Sequence, residues 1–231
     1  MANFFSISHN SFYKIGFPWI DTILNGLIKL PKCSICGEDS RYPDGEITVH
    51  LERNKGSKWP DILGCGAELL FIVSRRVLEN WQKEGVGEFP IQKVHVKKPY
   101  SKNLEGTEPP EYFWIDGKKT RGAILDIEAS GFVDGRLCEG CGRIIYNIEK
   151  SYDLQNSRIV PYVFNPDSWN GSHLFSTDIS YTMFFCTDLV LECARKYQFL
   201  NFRFTPVEEG KATSSKGIKY LTKRLGVKPV I

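Results

Sequence analysis

Phe71-Ile-Val-Ser-Arg-Arg-Val-Leu-Glu-Asn-Trp-Gln-Lys-Glu-Gly-Val-Gly-Glu-Phe-Pro-Ile-Gln-Lys-Val94 and Phe184-Phe-Cys-Thr-Asp-Leu-Val-Leu-Glu-Cys-Ala-Arg-Lys-Tyr-Gln-Phe-Leu-Asn-Phe-Arg-Phe-Thr-Pro-Val207 align at one constant offset of 113 residues. Val77, Leu78, Glu79, Lys83, Phe89 and Val94 meet the identical residue in the second stretch. Each stretch opens with an apolar run, Leu69 to Val73 or Met183 to Cys186, which reads as a buried strand. Ser74 or Thr187 then stands where a helix N-cap is wanted. Val77, Leu78 and Trp81, and in the second copy Val190, Leu191 and Ala194, recur at i, i+1 and i+4 and make one apolar helical face. Phe89-Pro-Ile91 and Phe202-Arg-Phe204 alternate as half-buried strands do. The reading is one strand-helix-strand architecture used twice. The alternative is chance likeness, since Val, Leu, Glu and Lys are common in any helix.

Working outward, each copy is preceded by one CxxCG, Cys33-Ser-Ile-Cys36-Gly37 and Cys138-Glu-Gly-Cys141-Gly142. A CxxC turn aims two thiolates at one metal, and the following Gly permits the tight turn in which amide N–H groups face the sulfurs. One knuckle supplies two ligands where a structural zinc takes four. Two knuckles completing one Zn2+ site, Cys33, Cys36, Cys138 and Cys141, is therefore the economical reading. A separation of about a hundred residues is tolerable because closure entropy grows only logarithmically with loop length. The alternatives are a thioredoxin-like redox pair, unligated thiols, or a lost site. A redox pair opens a helix, and Gly37 and Gly142 oppose helix propagation. Cys65 has no partner at ligand spacing and reads as a small buried residue; Cys186 reads as core and Cys193 as helix surface.

The fold class expected is thus α+β, two related strand-helix-strand halves that share one structural zinc. Residues 1–96 form the N-terminal half, 97–119 a surface loop rich in Lys, Pro, Gly and Glu, 120–207 the C-terminal half, and 208–231 a polar, basic tail. Ile47-Thr-Val-His-Leu51 and Ala123-Ile-Leu-Asp-Ile-Glu128 add strands.

Composition limits the function classes. The 231 residues are 42% hydrophobic and 13% aromatic, enough for a real core and unlike a disordered chain. A formal net charge of +3 with 25% charged residues sets up no single-sign field, which argues against both a dedicated nucleic-acid binder and an acidic mimic. No charge precedes Lys14 and no apolar run approaches the ~20 residues of a membrane span, so neither a secretory signal nor a membrane segment is expected and the location expected is cytoplasmic. Seven cysteines, four of them in CxxC pairs, favour metal over a disulfide framework there. His9, His50, His95 and His173 make no HxxxH or HExxH pair, and the chain has no GxSxG elbow, no GxxxxGK[ST] loop and no GxGxxG in a strand-to-helix context. Asp126 with Glu128, and Asp167 near His173, are carboxylates of the kind usually solvated at strands and turns, so the chain is not read as an enzyme.

The two CxxCG motifs, the aromatic segment Phe12-Tyr-Lys-Ile15 before the first, Cys138-Glu-Gly-Cys-Gly-Arg143 as the second, and the Phe175-to-Phe204 segment ending in strand-helix-strand resemble the double-CXXCG motif family of bacterial immunity proteins, known from myxobacteria. The resemblance spans residues 12 to 207. It implies a non-enzymatic cytoplasmic protein that binds and neutralises one cognate protein toxin by stoichiometric complex formation, with Cys33, Cys36, Gly37, Cys138, Cys141 and Gly142 as the residues carried over. Tyr100, Tyr112, Trp114, Trp169 and Tyr220 are the aromatic anchors expected for such an interface where exposed. The other reading is a zinc-ribbon-like nucleic-acid-binding module using lysines such as Lys97, Lys102, Lys118, Lys119 and Lys216; solvated lysine loops and a balanced net charge count against it.

Overall fold

Ser74 and Thr187 each start a nine-residue helix, α1 (Arg75–Lys83) and α2 (Asp188–Lys196), from extended backbone. Their hydroxyls do not cap. Ser74 Oγ donates to Asp61 at 2.8 Å, and Thr187 Oγ1 pairs with His173 Nδ1 at 2.9 Å. Val77 and Trp81 of α1 are buried, as are Val190, Cys193 and Ala194 of α2; Cys193, expected on the helix surface, is 2% exposed because that face packs on α1's side of the core. Both helices end alike. Gly85 and Val86 N–H donate to the Gln82 and Trp81 carbonyls, and Gln198 and Phe199 N–H to those of Arg195 and Ala194, a Schellman pattern in which Gly85 (φ +76°) and Gln198 (φ +51°) are left-handed.

The structure is a computed structural model and describes residues 3–9, 19–37, 40–51, 57–65, 70–97, 102–104, 106–147, 162–178 and 181–207. The aromatic segment Phe12–Ile15, Tyr100, Tyr220 and the tail 208–231 lie outside the described residues. The strands are β1 (Phe4–His9), β2 (Trp19–Leu30), β3 (Ser40–Leu51), β4 (Ile62–Cys65), β5 (Ile72–Ser74), β6 (Ile91–Lys97), β7 (Tyr112–Ile115), β8 (Arg121–Ala123), β9 (Arg136–Leu137), β10 (Ile144–Ile145), β11 (Leu174–Thr177), β12 (Phe184–Thr187) and β13 (Phe202–Pro206). The architecture is mixed α+β, mostly sheet, with α1 and α2 its two α-helices among the described residues.

β5 and β6, on either side of α1 in the chain, flank β7 and run antiparallel to it: Val73 and Lys93 both face Phe113, and Ile72 and Gln92 both face Trp114. β12 and β13 flank β1 in the same way, with Cys186 and Pro206 facing Phe5, and Phe185 and Thr205 facing Ser6. Beyond these units the surroundings differ. The first unit closes into a six-stranded barrel of order β2-β3-β6-β7-β5-β4, whereas the second lies in a five-stranded sheet of order β13-β1-β12-β11-β8.

Three apolar clusters follow from this layering. Ile20, Ile47, Val49, Leu51, Leu63, Ile72, Val94, Tyr112 and Trp114 fill the barrel. Phe71, Val73, Ile115 and Val77 meet Ile7, Phe184, Cys186 and Val190 between barrel, sheet and helices. Phe71 stacks on Phe184 at 4.4 Å between ring centroids, and Trp81 takes the edges of Phe89 and Phe202. Lys196 and Tyr197 both donate to the Glu84 carboxylate, closing the same seam at its rim. Phe175, Phe185, Phe164, Phe132 and Ile144 cover the far face of the sheet.

Within 97–119, read as a surface loop, Tyr112–Ile115 is a strand buried at every position; the flanking Glu108-Pro-Pro-Glu111 masks four apolar residues too few to show a period. β1, within residues 1–96, pairs with β12 and β13 of residues 120–207. The strand expected over Ala123–Glu128 stops at Ala123, after which Leu125 makes one bridge to Phe164 and the chain turns.

Candidate metal centre

Each CxxCG sits at the tip of a hairpin. Leu30 opposite Ser40 closes β2 on β3, so the connection carries Cys33 and Cys36; Leu137 opposite Ile144 closes β9 on β10 around Cys138 and Cys141. Gly37 N–H donates to the Cys33 carbonyl at 2.9 Å and Gly142 N–H to that of Cys138 at 2.8 Å, the same turn in both. It is completed by φ of +72° at Gly37 and +69° at Gly142, values at which a Cβ is strained whatever the space around it.

The tips meet. Cys33 Sγ lies 3.6 Å from Cys138 Sγ, Cys36 Sγ lies 3.6 Å from Cys141 Sγ, and all four sulfurs fall within 4.8 Å of one another. A tetrahedral ion with metal–sulfur bonds of about 2.3 Å needs sulfurs about 3.8 Å apart, close to the two 3.6 Å pairs, so the four thiols could hold one metal ion. Among the described residues this is the one cluster of three or more His, Cys, Asp or Glu that could hold a metal. It is half sunk in the surface, with Cys138 buried, Cys33 and Cys36 intermediate and Cys141 exposed.

The backbone prepares the ligands electrically. Amide N–H groups of Cys36 and Ile35, in that order, bring the Cys33 thiol down to about 6, and those of Cys141 and Gly140 lower Cys138. At Cys33 these donors favour the thiolate, the form that ligates a metal.

Gly140 is the residue that motif reading missed. A Cβ there would come 2.9 Å from Cys33 Sγ and 3.2 Å from Ile35 Cδ1, so with any side chain at this position the first knuckle would have to give way for the second to close on it. Its middle position in CxxC carries no sequence signal, because the crowding comes from the other hairpin.

Other candidates are not gathered into a site. Asp126, Glu128 and Asp167 are exposed, and His173 is held by Thr187. His95 pairs with Glu46 on the barrel surface, and the Cys65 side chain lies outside the described residues. Tyr112 and Trp114, expected among partner anchors, are barrel core at 0% and 3% exposure; Trp169 is half-buried, its Nε1 donating to the Ser172 carbonyl. No helix of the described residues is long and apolar enough to cross a membrane. No protein-family model matches the chain, and no curated protein matches it.

Proposed function

We propose that the chain is a zinc-braced immunity protein that neutralises a cognate toxin by one-to-one binding, and that its ion is zinc. The observation that carries this reading is the closed Cys33, Cys36, Cys138 and Cys141 set. Four protein thiolates leave no open position for substrate or water, so the ion braces rather than catalyses. The brace joins a hairpin of the barrel to a hairpin of the second half, the arrangement wanted where a rigid frame presents variable loops to a partner. The double CxxCG is also what the chain shares in pattern with the immunity family. We further infer that the two strand-helix-strand units are one architecture used twice, supported by their common register about a third strand and by their matching helix ends.

Metal analysis of the purified chain should return one zinc per chain, lost in Cys138→Ser. Co-expression with the product of the adjacent gene should restore growth and give a one-to-one complex on gel filtration. Rescue without a complex points to an enzymatic antidote and ends the proposal.

A further inference from the structure

The two close sulfur pairs of the metal centre differ in their access to water. Cys33 with Cys138, and Cys36 with Cys141, each stand 3.6 Å apart, and each pair joins one hairpin to the other. Cys138 is 3% exposed and Cys33 intermediate, whereas Cys141 is exposed and Cys36 intermediate. The set therefore has a sunken pair and an outer pair. Oxidation of thiolates follows their exposure, so an oxidant arriving from solution meets Cys141 before the other three. Its reaction partner is already in place. Sulfurs 3.6 Å apart need approach by only about 1.6 Å to reach disulfide length. Cys186 and Cys193, at 0% and 2% exposure, are buried in the seam between the helices and do not compete for the oxidant.

We propose that Cys36 and Cys141 are a peroxide-sensitive modification site that closes to a disulfide between the two hairpins, so that a covalent link takes over the brace when the ion leaves. The oxidant is a hydroperoxide. The Cys141 thiolate attacks one peroxide oxygen, the O–O bond breaks, and hydroxide departs to leave a sulfenic acid. The Cys36 thiolate attacks that sulfur, the S–O bond breaks, and a second hydroxide departs as the S–S bond forms. Two thiolates thus give up two electrons and one peroxide takes them. Cys33 and Cys138 remain as two ligands where a structural site takes four, so zinc is released as Zn2+. That release rests on the zinc reading above, whereas the pairing rests on the sulfur positions alone. In the oxidised chain the barrel hairpin and the second hairpin stay joined, and the frame outlasts the loss of its metal.

The test treats the purified full chain, with the metal it carries, with an equimolar amount of hydrogen peroxide, then blocks the remaining thiols and digests with trypsin. Cleavage after Lys and Arg places the first knuckle in residues 33–41 and the second in 137–143. A bond between the hairpins therefore joins two peptides, whereas a bond within a knuckle loops one. The expected result is the joined pair, with fragment ions placing the bond between Cys36 and Cys141, and release of about one zinc per chain to a chromophoric chelator. Dithiothreitol with added zinc should reverse both. A bond between Cys33 and Cys138, a looped peptide, a bond from Cys141 to any other cysteine, or a sulfinic acid as the main product overturns the proposal, as does zinc retained by the disulfide-bonded chain. In Cys36→Ser the sulfenic acid has lost its partner and should be trapped by dimedone at Cys141; trapping at another cysteine of the set overturns the order of attack. A purified chain that carries no metal ends the zinc reading, and the same peptide mapping on that chain then judges the pairing by itself.

Discussion

At the scale of single residues the metal centre depends on what is missing at Gly140 as much as on the thiolates. The 2.9 Å approach that a Cβ would make to Cys33 Sγ falls on a ligand atom, which has no freedom to retreat without leaving the tetrahedron. Gly140→Ala should therefore lower metal affinity by about tenfold or more, the scale of losses seen when groups supporting metal ligands are changed. Competition with a chromophoric chelator measures it. Equal zinc affinity in the variant would mean that the knuckles shift freely and that the approach is inconsequential. The glycines visible in the motif, Gly37 and Gly142, act differently, through their left-handed backbone, and need no neighbour to explain them. That difference is why sequence pointed to them and passed over Gly140.

At the scale of elements the helices show what a sequence can and cannot carry. Their faces and starts were legible because a 3.6-residue period and a Ser or Thr before it are local signals, and the helices begin one residue after Ser74 and Thr187. The matched ends allow a direct comparison. Both chains turn left-handed after the helix, on Gly85 in the first and on Gln198 in the second, and a residue with a Cβ pays about 1 kcal/mol or more for that conformation. Gly85→Ala should destabilise by about 1 kcal/mol, and Gln198→Gly should stabilise by up to about that amount, read from denaturant midpoints at constant m-value. Loss of stability in Gln198→Gly would show that Gln198 contributes contacts larger than its strain. The barrel, in contrast, was not legible. β3 runs through Pro43-Asp44-Gly45, which reads as a turn, and β2 opposite it slips register between Ile20 and Thr22, Ile23 and Asn25, and Asn25 and Leu27, so alternation is broken on both strands. β1 and β7, the middle strands of the two units, are chosen by pairing far along the chain, which no local pattern announces.

At the scale of the whole molecule a metal bound by the four cysteines would join two hairpins that the core already connects in part. From ligand count alone, removal of one thiolate is expected to unfold the chain. The packing points to a narrower effect. Barrel and second sheet already share an apolar seam in which Phe71, Val73, Val77, Trp81, Phe184 and Val190 are buried, and Glu84 is held by Lys196 and Tyr197 at its edge. Fully burying side chains of this size contributes about 1.5–3 kcal/mol each, and Cys138, the buried cysteine of the four, is not part of that cluster. The β9–β10 hairpin is otherwise slight: two residues per strand, with Arg136 and Leu137 exposed, anchored through Ile144 and Phe132. Removing the ion should thus release the second knuckle first. Hydrogen exchange after chelation is expected to show amides of 136–143 losing protection, among them the Cys138 N–H that donates to the Arg143 carbonyl, while α1, α2, β5 and β12 keep theirs. Uniform loss across both helices would mean that the ion carries the fold as a whole. Retained protection in the hairpin would mean that the hairpin stands without the ion.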